Sequence, residues 1–260
     1  MIFKSPTTLL RRAALGFVMS AMAAAVCIGC VKTEPGIEVE ISVGADAAGV
    51  QLVEGGSAIA VTNNLGYEIE VQVGRLNVQG ARIVSCQEHN GVGGFAQRQD
   101  GLVTLGQAHS LATPVESGDP LVVDLLDGQA IKTLGTLAPP PDRYCALQVS
   151  FLPADDDARS LPDDAMVGQT LRVSGRWRSP GQRWVPFSTH AGLVESINIP
   201  IAPSQGGLTL SERDHRPDLR LSIPVGHLFA DVDFDTMEPE EIAALIMDNT
   251  LVVVIGDMPQ

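Results

Sequence analysis

The segment Tyr67-Glu68-Ile69-Glu70-Val71-Gln72-Val73 alternates apolar and polar side chains, and so does Tyr144-Cys145-Ala146-Leu147-Gln148-Val149-Ser150-Phe151. A period of two places one set of side chains on a buried face and the other in water, as a half-buried β-strand requires. The first segment continues with many apolar residues as far as Cys86. We therefore expect the two segments to form the centre of one β domain.

About twelve short strand candidates, separated by Gly and Pro turns, follow one another from Ile37 onward. One helix is expected near the C-terminus, with Thr236 as its N-cap and Pro239 in its first turn. This order of elements predicts a mainly β fold, an antiparallel β-sandwich of Ig-like or prealbumin-like type with one short C-terminal helix. We expect residues 37–260 to form a single domain.

The charge of the chain restricts its partners. The 260 residues include 17 Lys and Arg against 31 Asp and Glu, a formal net charge of −14. Nucleic-acid binding depends mainly on basic side chains that neutralise phosphates, so we expect no nucleic-acid partner. Cations, in contrast, are attracted to a negatively charged surface.

The N-terminus predicts export. Lys4, Arg11 and Arg12 precede an uncharged run from Ala13 to Gly29, the pattern of a secretory signal. The run ends in Gly29-Cys30, which resembles a bacterial lipobox, although Cys27 stands where leucine is usual. Plain secretion and an uncleaved membrane anchor are the alternatives.

The lipobox-like sequence predicts a signal peptide over residues 1–29, lipidation of Cys30 and a tether over residues 30–36. A lipid on Cys30 would hold the protein on a membrane of the cell envelope. We expect an outer-membrane lipoprotein that faces the periplasm or the cell surface.

Export also predicts a disulfide. With Cys27 removed and Cys30 lipidated, Cys86 and Cys145 remain as an even pair in an oxidising compartment. A bridge between them would join the two halves of the β domain. Thiolate ligands for a metal are the alternative, but the pair lacks Cys-x-x-Cys spacing.

A metal site is the main alternative to a plain binding surface. Glu88 and His89 follow Cys86 closely, while His109 and His190 follow or lie near strand candidates. Copper or zinc binds two or three imidazoles with a carboxylate, and loops at strand ends can bring these together. Solvated loop histidines are the competing interpretation.

Two acidic clusters suggest calcium. Asp231-x-Asp233-x-Asp235 resembles the start of an EF-hand loop, but Thr236 replaces its glycine and Ile242 its last glutamate. The cluster 155–157 with 163–164 is expected to be a solvated loop, with a weak calcium site as the alternative. Trp177 and Trp184 flank a hairpin and are expected to pack in the core.

The sequence contains none of three common catalytic or nucleotide-binding motifs, namely Gly-x-Ser-x-Gly, His-Glu-x-x-His and a phosphate-binding glycine loop. The sequence therefore favours a non-catalytic binding or accessory module rather than an enzyme. The first alternative is a copper- or zinc-binding envelope protein that uses His89 and His109. The second is a carbohydrate-active enzyme or another hydrolase.

Several short stretches resemble uncharacterised envelope lipoproteins of delta-proteobacterial type. They are Ala108-His109-Ser110, Asp124-Leu125-Leu126, Pro140-Pro141-Asp142-Arg143-Tyr144-Cys145 and Pro153-Ala154-Asp155. The order of elements is loosely similar to the MbnP-like family, on the strand from Arg143 to Phe151 and on the stretch from Leu221 to Phe229 that runs into Asp231-Val232-Asp233. That resemblance implies an extracytoplasmic β-protein associated with copper, whose partner would be a haem-containing redox protein.

Overall fold

A computed structural model describes residues 36–53, 58–91, 113–128, 130–201, 206–211, 217–250 and 254–255. Residue contacts divide the chain into two compact units, Met1–Gly36 and Ile37–Gln260, and the described helices and strands all belong to the second unit. Within the described ranges, no helix combines the length and the apolar character that crossing a membrane would require.

The strands of the described residues are, in chain order, β1 Val39–Asp46, β2 Gln51–Leu52, β3 Ile59–Thr62, β4 Glu68–Val78, β5 Gly80–Ser85, β6 Glu116–Ser117, β7 Leu121–Asp124, β8 Ile131–Leu137, β9 Asp142–Phe151, β10 Leu171–Arg178, β11 Val185–Ala191, β12 Glu195–Pro200, β13 Leu208–Leu210, β14 Asp218–Pro224 and β15 Val254–Ile255. Two α-helices accompany them, α1 Cys86–Gly91 and α2 Pro239–Thr250.

These strands form three sheets. Sheet A has the order β15-β14-β1-β8, sheet B the order β11-β10-β4-β3-β2 with β7 also paired to β4, and sheet C the order β12-β9-β5-β6 with β13 also paired to β9. The ladders are antiparallel except for β1 and β14, which run parallel. A parallel pair needs a long crossover, and most of the domain lies between these two strands.

The segment from Tyr67 to Cys86 divides between two sheets. It forms β4 in sheet B and β5 in sheet C, and the chain passes from one to the other at Gln79. Gly80 makes this passage feasible, because a Cβ at that position would lie only 2.1 Å from the carbonyl oxygen of Ser117. The alternation of side chains predicted strands here but did not predict the change of sheet.

All three sheets contribute to one hydrophobic core. Ile41 of sheet A, Ile69 of sheet B and Leu147 of sheet C are fully buried members of the same cluster. The predicted mainly β fold, with antiparallel sheets and one short C-terminal helix, is confirmed. That helix, α2, begins at Pro239, so Glu238 rather than the predicted Thr236 directly precedes it.

Candidate functional site

The predicted disulfide between Cys86 and Cys145 is present, with the two Cα atoms 4.8 Å apart. It connects the end of β5 to β9, which are neighbouring strands of sheet C. The bond therefore fastens one sheet instead of joining two halves of the domain. Gly207 packs directly on it, because a Cβ there would lie 3.1 Å from each sulfur atom.

The residues predicted to bind a metal are only partly described. Glu88 lies in α1 and forms an ion pair with Arg82, while His190 is exposed on β11 and faces Arg172 in the β10–β11 register. The side chain of His89 and the whole of His109 fall outside the described residues, as does Cys30. Of the predicted site residues, the structure brings Cys86 and Cys145 together. The metal site with His89, His109, Glu88 and His190 as ligands stays a prediction.

Neither acidic cluster forms a recognisable metal centre in the part of the chain that the structure describes. No group of three or more His, Cys, Asp or Glu side chains there is arranged to hold a metal ion. Asp163 instead accepts a hydrogen bond from the Ala165 amide at 3.0 Å and lies 3.5 Å from Arg172 Nη1. The weak calcium site gains no support from these contacts.

The segment 231–235, which we call the acidic loop, is fastened to the turn between β3 and β4. Asn63 donates from Nδ2 to the carbonyl oxygens of Phe229 and Val232, at 3.2 and 2.8 Å. Asn64 donates to Asp231 Oδ1 at 2.5 Å and accepts from the Asp231 amide at 2.7 Å. These carboxylates therefore serve a tertiary contact between two loops distant in sequence.

Tyr67 completes this contact. Its hydroxyl oxygen lies 2.7 Å from Asp233 Oδ1 and 2.8 Å from Asp235 Oδ2, so the single hydroxyl proton serves one carboxylate at a time. The hydrogen bond from Tyr67, followed by that from Thr236, lowers the pKa of Asp233. The hydrogen bond to Asp233 and burial raise the pKa of Tyr67 well above its ordinary value.

The Tyr67 ring belongs to an aromatic cluster beneath the loop. Its centroid lies 5.2 Å from that of Trp177 and 5.8 Å from that of Phe234, both in edge-to-face contact. Trp177 and Phe234 stack on each other at 5.2 Å. Trp177 is partly buried and packs against the hydrophobic core, in agreement with the prediction.

We expect the free energy of unfolding of Tyr67→Phe to change less than that of the parent protein when the pH is lowered into the acid range. A carboxyl whose pKa is lowered by folding stabilises the protein above its unfolded pKa of about 3.9, and that stability disappears as the pH falls through the lower folded value. Without the hydroxyl, the pKa of Asp233 should rise toward its ordinary value. The variant should therefore be less stable than the parent near neutral pH, and the difference should shrink below about pH 4.

The measurements are urea unfolding at several pH values and NMR titration of the Asp233 carboxyl carbon. Tyr144→Phe is the matched control, because the Tyr144 hydroxyl donates to an uncharged group, the carbonyl oxygen of Pro140, at 2.9 Å. That variant should leave the Asp233 titration unchanged. An unaltered Asp233 titration in Tyr67→Phe would contradict the assignment of its low pKa to Tyr67.

A second polar feature covers the outer face of sheet B. Arg176 and Arg178 lie over the ring of Trp184, at 4.7 and 4.5 Å from its centroid. Arg176 Nε also donates to Glu70 at 2.7 Å, and Arg178 Nε donates to Glu68 at 2.8 Å. Trp184 thus lies under arginines on the surface instead of in the core as predicted. Because each guanidinium has its own carboxylate, this network stabilises the sheet and offers no uncompensated charge.

Among the described residues, a cleft with a volume of about 410 Å³ lies at one end of the strands. Its floor includes Ile59 at the start of β3, Leu125 after β7 and Val225 after β14. Val50 and Leu52 line one side, and the Leu52 side chain is 73 % exposed at the lip. The cleft is thus built from strand ends of sheets A and B, and apolar side chains dominate its lining.

A polar recess of about 360 Å³ adjoins this cleft and shares Ile59, Leu126 and Asp127 with it. Its polar side chains are those of Gln72, Arg75, Asp124 and Asp127. Arg75 forms an ion pair with Asp124. We refer to the cleft and the recess together as the end cleft.

Two carboxylates of the end cleft are held by their own turn. Asp124 Oδ1 accepts a hydrogen bond from the Leu126 amide at 2.9 Å, and Asp127 Oδ1 accepts one from the Ala130 amide at 3.1 Å. Asp and Asn commonly hold turns in this way. The two negative charges therefore have fixed positions beside an apolar space.

The sequence patterns did not indicate the end cleft. Its lining comes from five separate stretches, and in the sequence Asp127-Gly128 is recognisable only as a turn. One feature of the sequence could have indicated it, the position of Leu125 and Leu126 directly before that turn. Two apolar residues at the end of a strand would be exposed to water unless they line a cleft or a contact. To predict the cleft from this feature, one would also need to know that strand ends of sheets A and B lie side by side there.

Comparisons of the chain with protein-family models, with curated proteins and with solved structures gave no match. The resemblances to envelope lipoproteins and to the MbnP-like family therefore stay predictions.

Proposed function

We propose that the protein is a lipoprotein of the cell envelope, anchored through Cys30, whose β domain acts as a non-catalytic binding module. The observation that carries the proposal is the end cleft. Ligand sites in proteins are concave, mostly apolar, and furnished with a few polar groups that fix orientation. The end cleft has this composition and a volume within the usual range for small-molecule sites.

The lining favours binding over catalysis. Among the lining residues that the structure describes, no hydroxyl, thiol or imidazole side chain contributes to the end cleft. Nucleophilic catalysis by a serine, threonine, cysteine or histidine side chain needs such a group, and a carboxylate is the nucleophile in other enzymes. Asp124 and Asp127 hold their own turn through backbone amides, and Asp124 also pairs with Arg75, so both carboxylates have structural roles.

The envelope location is supported by two features of the cysteines. The N-terminal 30 residues have a basic segment, an apolar segment and a Gly29-Cys30 junction, as lipoprotein precursors do. The Cys86–Cys145 disulfide is the kind of bond that persists in oxidising compartments. In that location the module would serve an envelope partner, for which the family resemblance suggests a haem-containing redox protein.

The anchor is tested by labelling cells that express the full chain with radioactive palmitate. We expect the parent protein to carry label and to sediment with the envelope membranes, and Cys30→Ser to carry none. Cys27→Leu is the matched control, because it alters the neighbouring cysteine and restores the usual lipobox residue, so it should keep the label. Label retained in Cys30→Ser would remove the anchor from the proposal.

A further inference from the structure

We infer that the Cys86–Cys145 disulfide is a reducible latch, whose opening by a dithiol releases α1 and β13 while β5 and β9 stay paired. The inference goes beyond the proposed binding function, because it gives the domain a second, redox-dependent state. In an oxidising compartment the closed bond persists until a dithiol attacks it. The partner implied by this chemistry is a dithiol protein of the cell envelope, and dithiothreitol can replace it as a probe.

The bond lies within reach of a reductant. Cys86 and Cys145 are both partly exposed, whereas Ile83 and Leu147, a few positions away, are buried. A disulfide opens when a thiolate attacks one of its sulfur atoms, and the rate depends on access to that atom. Reduction therefore does not require β5 and β9 to separate first.

The first element that the bond holds is α1. This helix has six residues and begins at Cys86 itself. Helices shorter than about 12 residues are marginal in water unless tertiary contacts hold them. Glu88 adds an ion pair with Arg82, but both side chains are partly exposed, and exposed ion pairs contribute little. The covalent bond is therefore the strongest attachment of α1 among the residues that the structure describes.

The second element is β13, together with the turn directly before it. β13 has three residues and pairs with the first residues of β9. The Gly206 carbonyl oxygen lies 4.0 Å from the sulfur of Cys86 and 3.6 Å from that of Cys145. Gly206 and Gly207 have φ angles of +70° and +113°, which favour glycine, and a Cβ on Gly207 would lie 3.1 Å from each sulfur. The turn thus packs on the closed bond, and two separate thiols would need more space than it leaves.

The centre of sheet C is held independently of the bond. β5 and β9 are paired over almost the whole length of β5, from Gly80 to Ser85. Ile83, Leu147 and Val149 of these two strands are buried in the core that all three sheets share. Opening of the disulfide should therefore loosen the two short elements and leave the paired strands in place.

The reaction is a thiol–disulfide exchange. One thiolate of the dithiol forms a bond to a sulfur of the protein, and the bond between Cys86 and Cys145 breaks. The displaced cysteine leaves as a thiolate and takes up a proton. The second thiol of the reductant then closes the reductant's own disulfide, which frees the other cysteine. Two electrons pass from the dithiol to the protein, and two cysteine thiols result.

The first test is the rate at which dithiothreitol reduces the full chain in detergent micelles without denaturant. Alkylation with iodoacetamide and mass spectrometry identify the freed thiols of Cys86 and Cys145. We expect the rate to rise in proportion to the dithiothreitol concentration, because the reductant attacks the folded protein. A rate that levels off and increases only when denaturant is added would mean that the sheet must unfold first, and it would overturn the inference.

The second test is hydrogen exchange of the backbone amides in the oxidised and the reduced protein. Amides of α1 and β13 should be protected in the oxidised protein and nearly unprotected after reduction, when those of β5 and β9 should stay at least about a hundredfold better protected. The double variant Cys86→Ser, Cys145→Ser should show the reduced pattern with and without dithiothreitol. Equal protection of all four elements after reduction, a uniform loss, or no protection of α1 and β13 in the oxidised protein would each overturn the inference.

Discussion

Replacing both Cys86 and Cys145 by serine is expected to lower the free energy of unfolding by about 4 kcal/mol. The bridge connects residues 59 positions apart, so it restricts a long loop in the unfolded chain. In the chain-entropy treatment a closed loop of this length accounts for that figure, and any strain in the folded state reduces it. For a domain of this size the midpoint of thermal unfolding should fall by about 10 °C.

Guanidinium unfolding distinguishes this mechanism from a loss of packing. A cross-linked unfolded chain is more compact, so the double-serine variant should show a steeper dependence of the unfolding free energy on denaturant. A reducing agent should lower the stability of the parent protein to that of the variant and leave the variant unchanged. If the parent protein and the double-serine variant were equally stable without a reducing agent, the bond would have no stabilising role.

Local patterns in the sequence identified the strands and the disulfide well. The alternation over Tyr67–Val73 and Tyr144–Phe151 corresponds to β4 and β9, and both segments have the expected buried faces. The disulfide could be predicted because export and an even number of remaining cysteines left one pair. These inferences depend on short stretches of chain, where the period of side-chain burial is directly visible.

Features that depend on distant contacts were less accessible. The change of sheet at Gln79 follows from the approach of Ser117 to Gly80, and no local pattern encodes that approach. Trp184 was expected in the core because of its ring, but two arginines on the neighbouring strand cover it. In both cases the outcome is decided by residues far away in the sequence or across a strand pair.

The same reason explains what could be predicted of the candidate site. Asp231, Asp233 and Asp235 form an acidic pattern that is visible in the sequence, but their partners, Asn64 and Tyr67, lie more than 160 positions away. The end cleft likewise combines five stretches of chain. The sequence shows where acidic residues occur along the chain. Only the fold shows whether a given carboxylate binds a neighbouring loop or lines a cavity.

The other large effect is expected for Asn63→Ala, which should lower the free energy of unfolding by about 3–4 kcal/mol. Asn63 is buried, with 8 % of its surface exposed, and it makes four hydrogen bonds. Its Oδ1 accepts from the amides of Leu65 and Tyr67, at 3.1 and 3.0 Å. Alanine removes all four bonds. The Phe229 carbonyl oxygen still accepts from the Val232 amide, but the Tyr67 amide and the Val232 carbonyl oxygen lose their Asn63 partner, and each such buried group costs about 1–3 kcal/mol.

Asn64→Ala is the matched control for this prediction. Its bonds to Asp231 are exposed, so water can replace the lost partners and the free energy of unfolding should fall by about 0.5–1 kcal/mol. Asn63→Asp separates the acceptor from the donor role of Asn63. It keeps an acceptor for Leu65 and Tyr67 but cannot donate to Phe229 and Val232, and it adds a negative charge near the acidic loop.

We therefore expect Asn63→Asp to be at least as destabilising as Asn63→Ala near neutral pH, because a buried carboxylate would face two carbonyl oxygens. Urea unfolding of the three variants gives the comparison directly. If Asn63→Ala and Asn64→Ala had equal effects, burial of the Asn63 side chain would not govern the contact between the β3–β4 turn and the acidic loop. The aromatic cluster of Tyr67, Trp177 and Phe234 would then be the main connection between these parts of the domain.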